Sequence, residues 1–137
     1  VNMGLGWLGG WVGDPDLSVE RILGELLAPV AWLIGVPWSE AGTVGGLLGI
    51  RTVANEVLAY EELGKLARGD GLGEKSVMLA TIAMCSFANV SSIGIQVGGI
   101  GALVPERRQD LARLGLKALL IATLATSLSA AIAGVLA

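Results

Sequence analysis

From Ser76 to Pro105 the chain reads SVMLATIAMCSFANVSSIGIQVGGIGALVP, thirty residues with no charged side chain. As one straight α-helix this stretch would be about 45 Å long at about 1.5 Å per residue. The hydrocarbon core of a bilayer is only about 30 Å thick. The excess coincides with Phe87-Ala88-Asn89-Val90-Ser91-Ser92, where amide and hydroxyl groups interrupt the apolar run. The reading that fits both facts is a transmembrane helix broken near Asn89, its freed backbone and polar side chains facing a cavity. Irregular backbone is tolerated at membrane depth only where it is enclosed by protein or water. Secondary transporters build their substrate sites from such broken helices. The segment therefore points to transport.

Composition agrees. Of 137 residues, 53% are hydrophobic and 15% charged, against about 25% charged in soluble domains, and the mean hydropathy is +0.72. A second uncharged stretch, Ala118 to Ala137, is long enough to span. The 21 glycines would weaken soluble helices but let membrane helices approach closely. The fold class expected is all-α integral membrane. A net charge of −3 without basic clusters argues against nucleic acid. No histidine is present, which removes most zinc chemistry, and no metal site is expected. Cys85, the single cysteine, is expected as a small buried side chain.

Five segments follow along the chain. Residues 1–13 are apolar but too short to span and lack a basic leader, so they are expected to end a preceding transmembrane helix. The whole is then a C-terminal fragment of a longer protein. Asp14-Pro15-Asp16 breaks that run. Residues 16–38 begin amphipathically, are interrupted by Pro29, and carry Trp32 and Trp38; an interfacial helix fits best. Residues 39–68 hold two short apolar arms around the polar tip Arg51-Thr52-Val53-Ala54-Asn55-Glu56, a re-entrant hairpin. The broken helix occupies 73–104, and Pro105 opens the last span, 105–137, at a position that tolerates proline. Arg107, Arg108, Arg113 and Lys117, against Lys65, Arg68 and Lys75, favour a cytoplasmic 105–117 loop.

Glu56 is the leading candidate for a functional side chain. A carboxylate inside a hairpin is costly in lipid and, facing a cavity, offers only acceptors, which suits a hydroxylated ligand. The alternative is a surface glutamate on a loop. Asn89 and Ser92, three apart, would share a helix face and supply donors and acceptors at the break; the alternative is interhelical hydrogen bonding. Ser91 would point elsewhere. Gly4-x-Gly6-x-x-Gly9 has dinucleotide-fingerprint spacing without the required strand, and Asn89-Val90-Ser91 is a glycosylation pattern in an apolar segment. Gly94-x-x-x-Gly98 could pack helices, a cheap match in so glycine-rich a chain.

The same residues carry a resemblance. Leu48-Gly49 through Asn55-Glu56, Cys85-Ser86-Phe87-Ala88-Asn89-Val90-Ser91-Ser92-Ile93-Gly94-Ile95-Gln96, Gly98-Gly99-Ile100-Gly101 and Pro105-Glu106-Arg107-Arg108 look like the concentrative nucleoside transporters. Ala28-Pro29 with Gly35-Val36-Pro37-Trp38 is similar to that family's interfacial helix. The resemblance covers nearly the whole chain. It implies a symporter driven by Na+ or H+, built from two inverted repeats, of which this chain is the second. Carried over, ribose binding falls on Glu56, Asn89 and Ser92. Phe87 lines the pocket and Asn55 completes the Asn-Glu pair. The first hairpin, with its base-reading Gln-Thr-Glu motif, has no counterpart here, and the coupling-ion site is expected mostly in that N-terminal half. The partners implied are a nucleoside, the bilayer, the N-terminal half and a homotrimer. The location implied is the cell (inner) membrane, crossed several times.

Two functions compete: cation-coupled nucleoside uptake, with this region supplying the ribose half, and a small structural or pore-forming membrane subunit. An enzyme is not expected, since no nucleophile–base pair or metal cluster appears.

Overall fold

The computed structural model describes residues 19–69 and 71–137. The readings made for residues 1–18, including the end of a preceding span, the Asp14-Pro15-Asp16 break and the Gly4-x-Gly6-x-x-Gly9 pattern, lie outside the described residues. Within them the fold is all-helical: α1 (Val19–Leu33), α2 (Trp38–Val53), α3 (Glu56–Arg68), α4 (Glu74–Ala83), α5 (Val90–Leu103), a 3₁₀ turn (Pro105–Arg107) and α6 (Arg108–Leu136).

α1 and α2 form the most extensive helix pair and meet at a bend of 118°. Sequence terminates α1. Gly35 takes φ +104°, the left-handed conformation that costs other residues a steric penalty. Around it, Val36 N–H donates to Ala31 O at 3.2 Å and Gly35 N–H to Trp32 O at 2.9 Å, the paired bonds of a Schellman cap. Pro37 then prevents continuation. Pro29 does not interrupt the helix as its type suggested; it lies inside α1. The missing N–H bond is outweighed by packing, because Ala28 and Ala31 on either side are buried against α2. Glycine makes that contact possible. A Cβ on Gly45 would lie 2.8 Å from the backbone nitrogen of Ala28, and one on Gly24 would lie 3.0 Å from Gly42 O.

α2 and α3 turn back on each other at Ala54 and Asn55, forming the re-entrant hairpin. Asn55 caps α3 by accepting from Leu58 N–H at 3.0 Å. Glu56 in the first turn and Lys65 and Arg68 in the last match the helix dipole. Tyr60 OH donates to Thr81 O at 2.8 Å, tying α3 to α4. Glu40 accepts from Gly73 N–H at 3.2 Å, tying the start of α2 to the start of α4.

The broken helix is α4 plus α5, and both halves pack on α6. A Cβ on Gly134 would touch Leu79 of α4 at 2.9 Å, and one on Gly115 would touch Ile93 of α5 at 2.8 Å. The two halves therefore run antiparallel to α6, with the break opposite its middle. The 32 residues Pro105–Leu136 form one helix long and apolar enough to cross a membrane. Three of its four hydroxyls are satisfied internally: Thr126, Ser127 and Ser129 donate to carbonyls a turn earlier. That arrangement suits a helix in contact with lipid. Only Ser127 and Ala130 of α6 are buried.

One further expectation is corrected, and one motif set aside as a cheap match stays so. Cys85 is exposed, because α4 has ended at Ala83 and the thiol no longer lies on a packed helix face. Gly94 and Gly98 have no atom within 4 Å of where a Cβ would stand, so the pair packs no helix among the described residues.

Candidate functional site

The break is made of tight turns. Ser86 N–H donates to Met84 O at 2.7 Å and Asn89 N–H to Phe87 O at 3.0 Å, both spanning three residues only. Asn89 ends the break and caps α5. Its Oδ1 accepts from Ser92 N–H at 2.7 Å and from Ser92 Oγ at 2.8 Å. With its oxygen so engaged, its amide nitrogen faces the hairpin and donates to Glu56 Oε2 at 3.0 Å. Glu56, Asn89 and Ser92 are thus one hydrogen-bonded cluster, joined across 33 positions.

Two helix starts meet there. Asn55 caps α3 and Asn89 caps α5, and each is followed by a first turn whose N–H groups favour negative charge or lone pairs. Asn89 is buried and Glu56 half-buried. Among the described residues Glu56 has no other hydrogen bond, so Oε1 can still accept. Ser92 Oγ, spending its proton on Asn89, likewise keeps lone pairs. The cluster can receive donors from a polyhydroxylated ligand.

Cavities flank the break on both sides. One of about 230 Å³ is lined by Phe87, Asn89, Ser92, Gln96 and residues of α6. Another of about 220 Å³ is lined by Glu56, Tyr60, Met84, Cys85, Ser86 and Phe87. Ser86 and Phe87 line both. Each is smaller than the roughly 300–1,000 Å³ of ordinary ligand pockets. Phe87 is 79% exposed, a large apolar face at the mouth of both.

The structure therefore brings Glu56, Asn89, Ser92 and Phe87 together. Asn55 is adjacent, but its side-chain oxygen is occupied as a helix cap. Ser91 is exposed and makes no part of the cluster. Sequence reasoning missed Arg51. It is fully buried in the last turn of α2, donating to Ser86 Oγ at 2.7 Å and Thr123 Oγ1 at 3.0 Å. No sequence signal singled it out: Arg51 reads as part of the polar hairpin tip, and Thr123 is one of four hydroxyl residues in the last span.

Residues 1–134 match the family model described as Na+ dependent nucleoside transporter C-terminus. The chain belongs to this nucleoside transporter family. It is 50% identical over 98% of its length to an uncharacterized transporter, YutK, of Bacillus subtilis, covering 33% of that protein. It is 46% identical over 92% of its length to a putative nucleoside permease, NupX, of Escherichia coli, covering 30% of it. Among solved structures, CNTnw in an inward-facing substrate-bound state superposes with a TM-score of 0.87 at 45% identity, over 97% of this chain and 33% of that one. The chain spans about a third of the length of these transporters. They are transporters, not enzymes, and the helical fold of this chain is shared with CNTnw.

Proposed function

We propose that the full-length protein carries nucleosides across the cell (inner) membrane, coupled to Na+ or H+, and that this second repeat supplies the ribose-contacting half of the site. The observation that carries the reading is the Glu56–Asn89–Ser92 cluster at a helix break opposite the middle of the last span. Transporters of this kind bind substrate near the bilayer midplane, at broken helices. Glu56 and Ser92 accept from ribose hydroxyls, Asn89 sets the geometry of both, Phe87 covers the sugar–base junction and Asn55 fixes the start of α3. The Na+ dependence in the family's description favours Na+, its ligands contributed mostly by the preceding half. Oligomerisation as a homotrimer, with several further spans, belongs to the same reading.

The family's permeases and transporters favour this over a small pore-forming subunit. Reconstitution of the full-length protein in liposomes tests it. Concentrative uptake of uridine or adenosine under an inward Na+ gradient, or a weaker one under H+, is expected. Uptake that never exceeds equilibration under either gradient overturns it.

A further inference from the structure

Arg51 is the largest fully buried side chain among the described residues. A guanidinium taken out of water carries a penalty of several kcal/mol, repaid only by good partners. Its hydrogen-bond partners here are neutral hydroxyls; among the described residues no carboxylate reaches ion-pair distance, and Glu56 acts on it only from further away. Its Nε–H has no acceptor among the described residues. For stability alone, an apolar side chain of the same volume would serve as well or better. What the arginine does provide is reach in two directions at once. It stands five positions before Glu56, and its planar fork touches Ser86 in the break and Thr123 at mid-α6.

We propose that Arg51 is a positioning residue for nucleoside binding: by bracing Ser86 against Thr123 it fixes the turn from Ser86 to Asn89. That turn sets both the Phe87 ring and the Asn89 amide that faces Glu56. The inference rests on the transport reading above. Thr123 lines neither cavity beside the break and its hydroxyl accepts from Arg51, so Thr123→Val weakens the brace without altering the lining of either cavity. Lysine does not substitute fully, because a single ammonium lacks the rigid fork that spans two oxygens on different helices.

The test is equilibrium binding of radiolabelled uridine and adenosine to the purified full-length protein, with Kd and site number read separately. Arg51→Met is expected to raise Kd at least about tenfold, and Arg51→Lys to recover part of that loss. Thr123→Val is expected to raise Kd by about threefold. The double variant is expected to bind no more weakly than Arg51→Met alone, since coupled residues are not additive. Where Arg51→Met fails to fold, Arg51→Lys and Thr123→Val decide: unchanged Kd in both overturns the assignment. A fall in site number with unchanged Kd overturns it too, leaving Arg51 a purely stabilising residue. A wild-type protein that binds neither nucleoside overturns the transport reading and this inference together. Wild-type binding with variants of unaltered Kd overturns the Arg51 assignment only.

Discussion

Asn89 donates its side-chain amide to the Glu56 carboxylate at 3.0 Å, joining the tip of the hairpin to the break in the neighbouring helix. The direction of this bond is dictated by the cap. Asn89 Oδ1 is held by the Ser92 N–H and hydroxyl, so only the NH₂ can face Glu56. The carboxylate is thereby oriented with one oxygen spent and one free. A ligand hydroxyl arriving at Glu56 meets an acceptor already aimed, and little side-chain entropy remains to be lost.

Asn89→Asp separates the two roles of the residue. An aspartate keeps the cap, since Asp and Asn are comparable N-caps, but it cannot donate, and it sets a second carboxylate against Glu56. The protein is expected to fold and express normally yet lose nucleoside affinity by at least about tenfold at neutral pH. Asn89→Ala also removes the cap, at a cost of about 1 kcal/mol, and is expected to lower thermal stability as well. Binding isotherms and melting curves on both variants check this. Normal affinity in Asn89→Asp would show that the amide donor is dispensable.

Phe87 behaves in the opposite way. With most of its ring exposed at the cavity mouths, it buries little apolar area in this part of the fold. Phe87→Ala is therefore expected to leave the melting temperature within error of the parent while weakening nucleoside binding severalfold. A large stability loss with intact affinity would make Phe87 a packing residue against the preceding half of the protein.

The break and the hairpin were legible because an uncharged run too long for the bilayer carried its polar groups in the middle, and because a lone glutamate followed a short apolar arm. Arg51 was not legible. An isolated arginine beside threonine at a loop reads as a solvated charge, and only the fold reveals that Ser86 and Thr123 converge on it. Pro29 misled for a related reason: its local cost is fixed by residue type, whereas the packing that overrides it comes from α2. The glycines announced close helix contact by their number, but not which of them meet a neighbour.

Gly45 and Gly42 test that last distinction within one helix. A methyl on Gly45 would collide with the backbone of Gly24 and Ala28, whereas one on Gly42 has nothing within 4 Å among the described residues. Backbone cannot rotate away as a side chain can. Gly45→Ala is expected to cost about 1–3 kcal/mol by overpacking and to lower the melting temperature in detergent. Gly42→Ala is expected to be neutral or slightly stabilising, since alanine favours helix by about 1 kcal/mol. Equal effects of the two would mean that the α1–α2 seam does not set the stability.

Glu56→Gln decides whether the sugar is what the cluster reads. Glutamine keeps the shape and can still meet the Asn89 amide through its own oxygen. It loses the charge, and its second terminal atom becomes a donor rather than the free acceptor. Hydrogen bonds to a charged group contribute about 1.5–3 kcal/mol each, and a tenfold change in affinity needs only about 1.4 kcal/mol. Ribonucleoside affinity of the full-length protein is therefore expected to fall at least about tenfold. Free nucleobases, which lack the hydroxyls, are expected to bind weakly to both forms with little difference between them. Competition of uridine and uracil against a radiolabelled nucleoside, at matched expression, measures both at once. Unaltered ribonucleoside affinity in Glu56→Gln would remove Glu56 as the ribose anchor. An equal loss for nucleobases would move its role from the sugar to the general shape of the site.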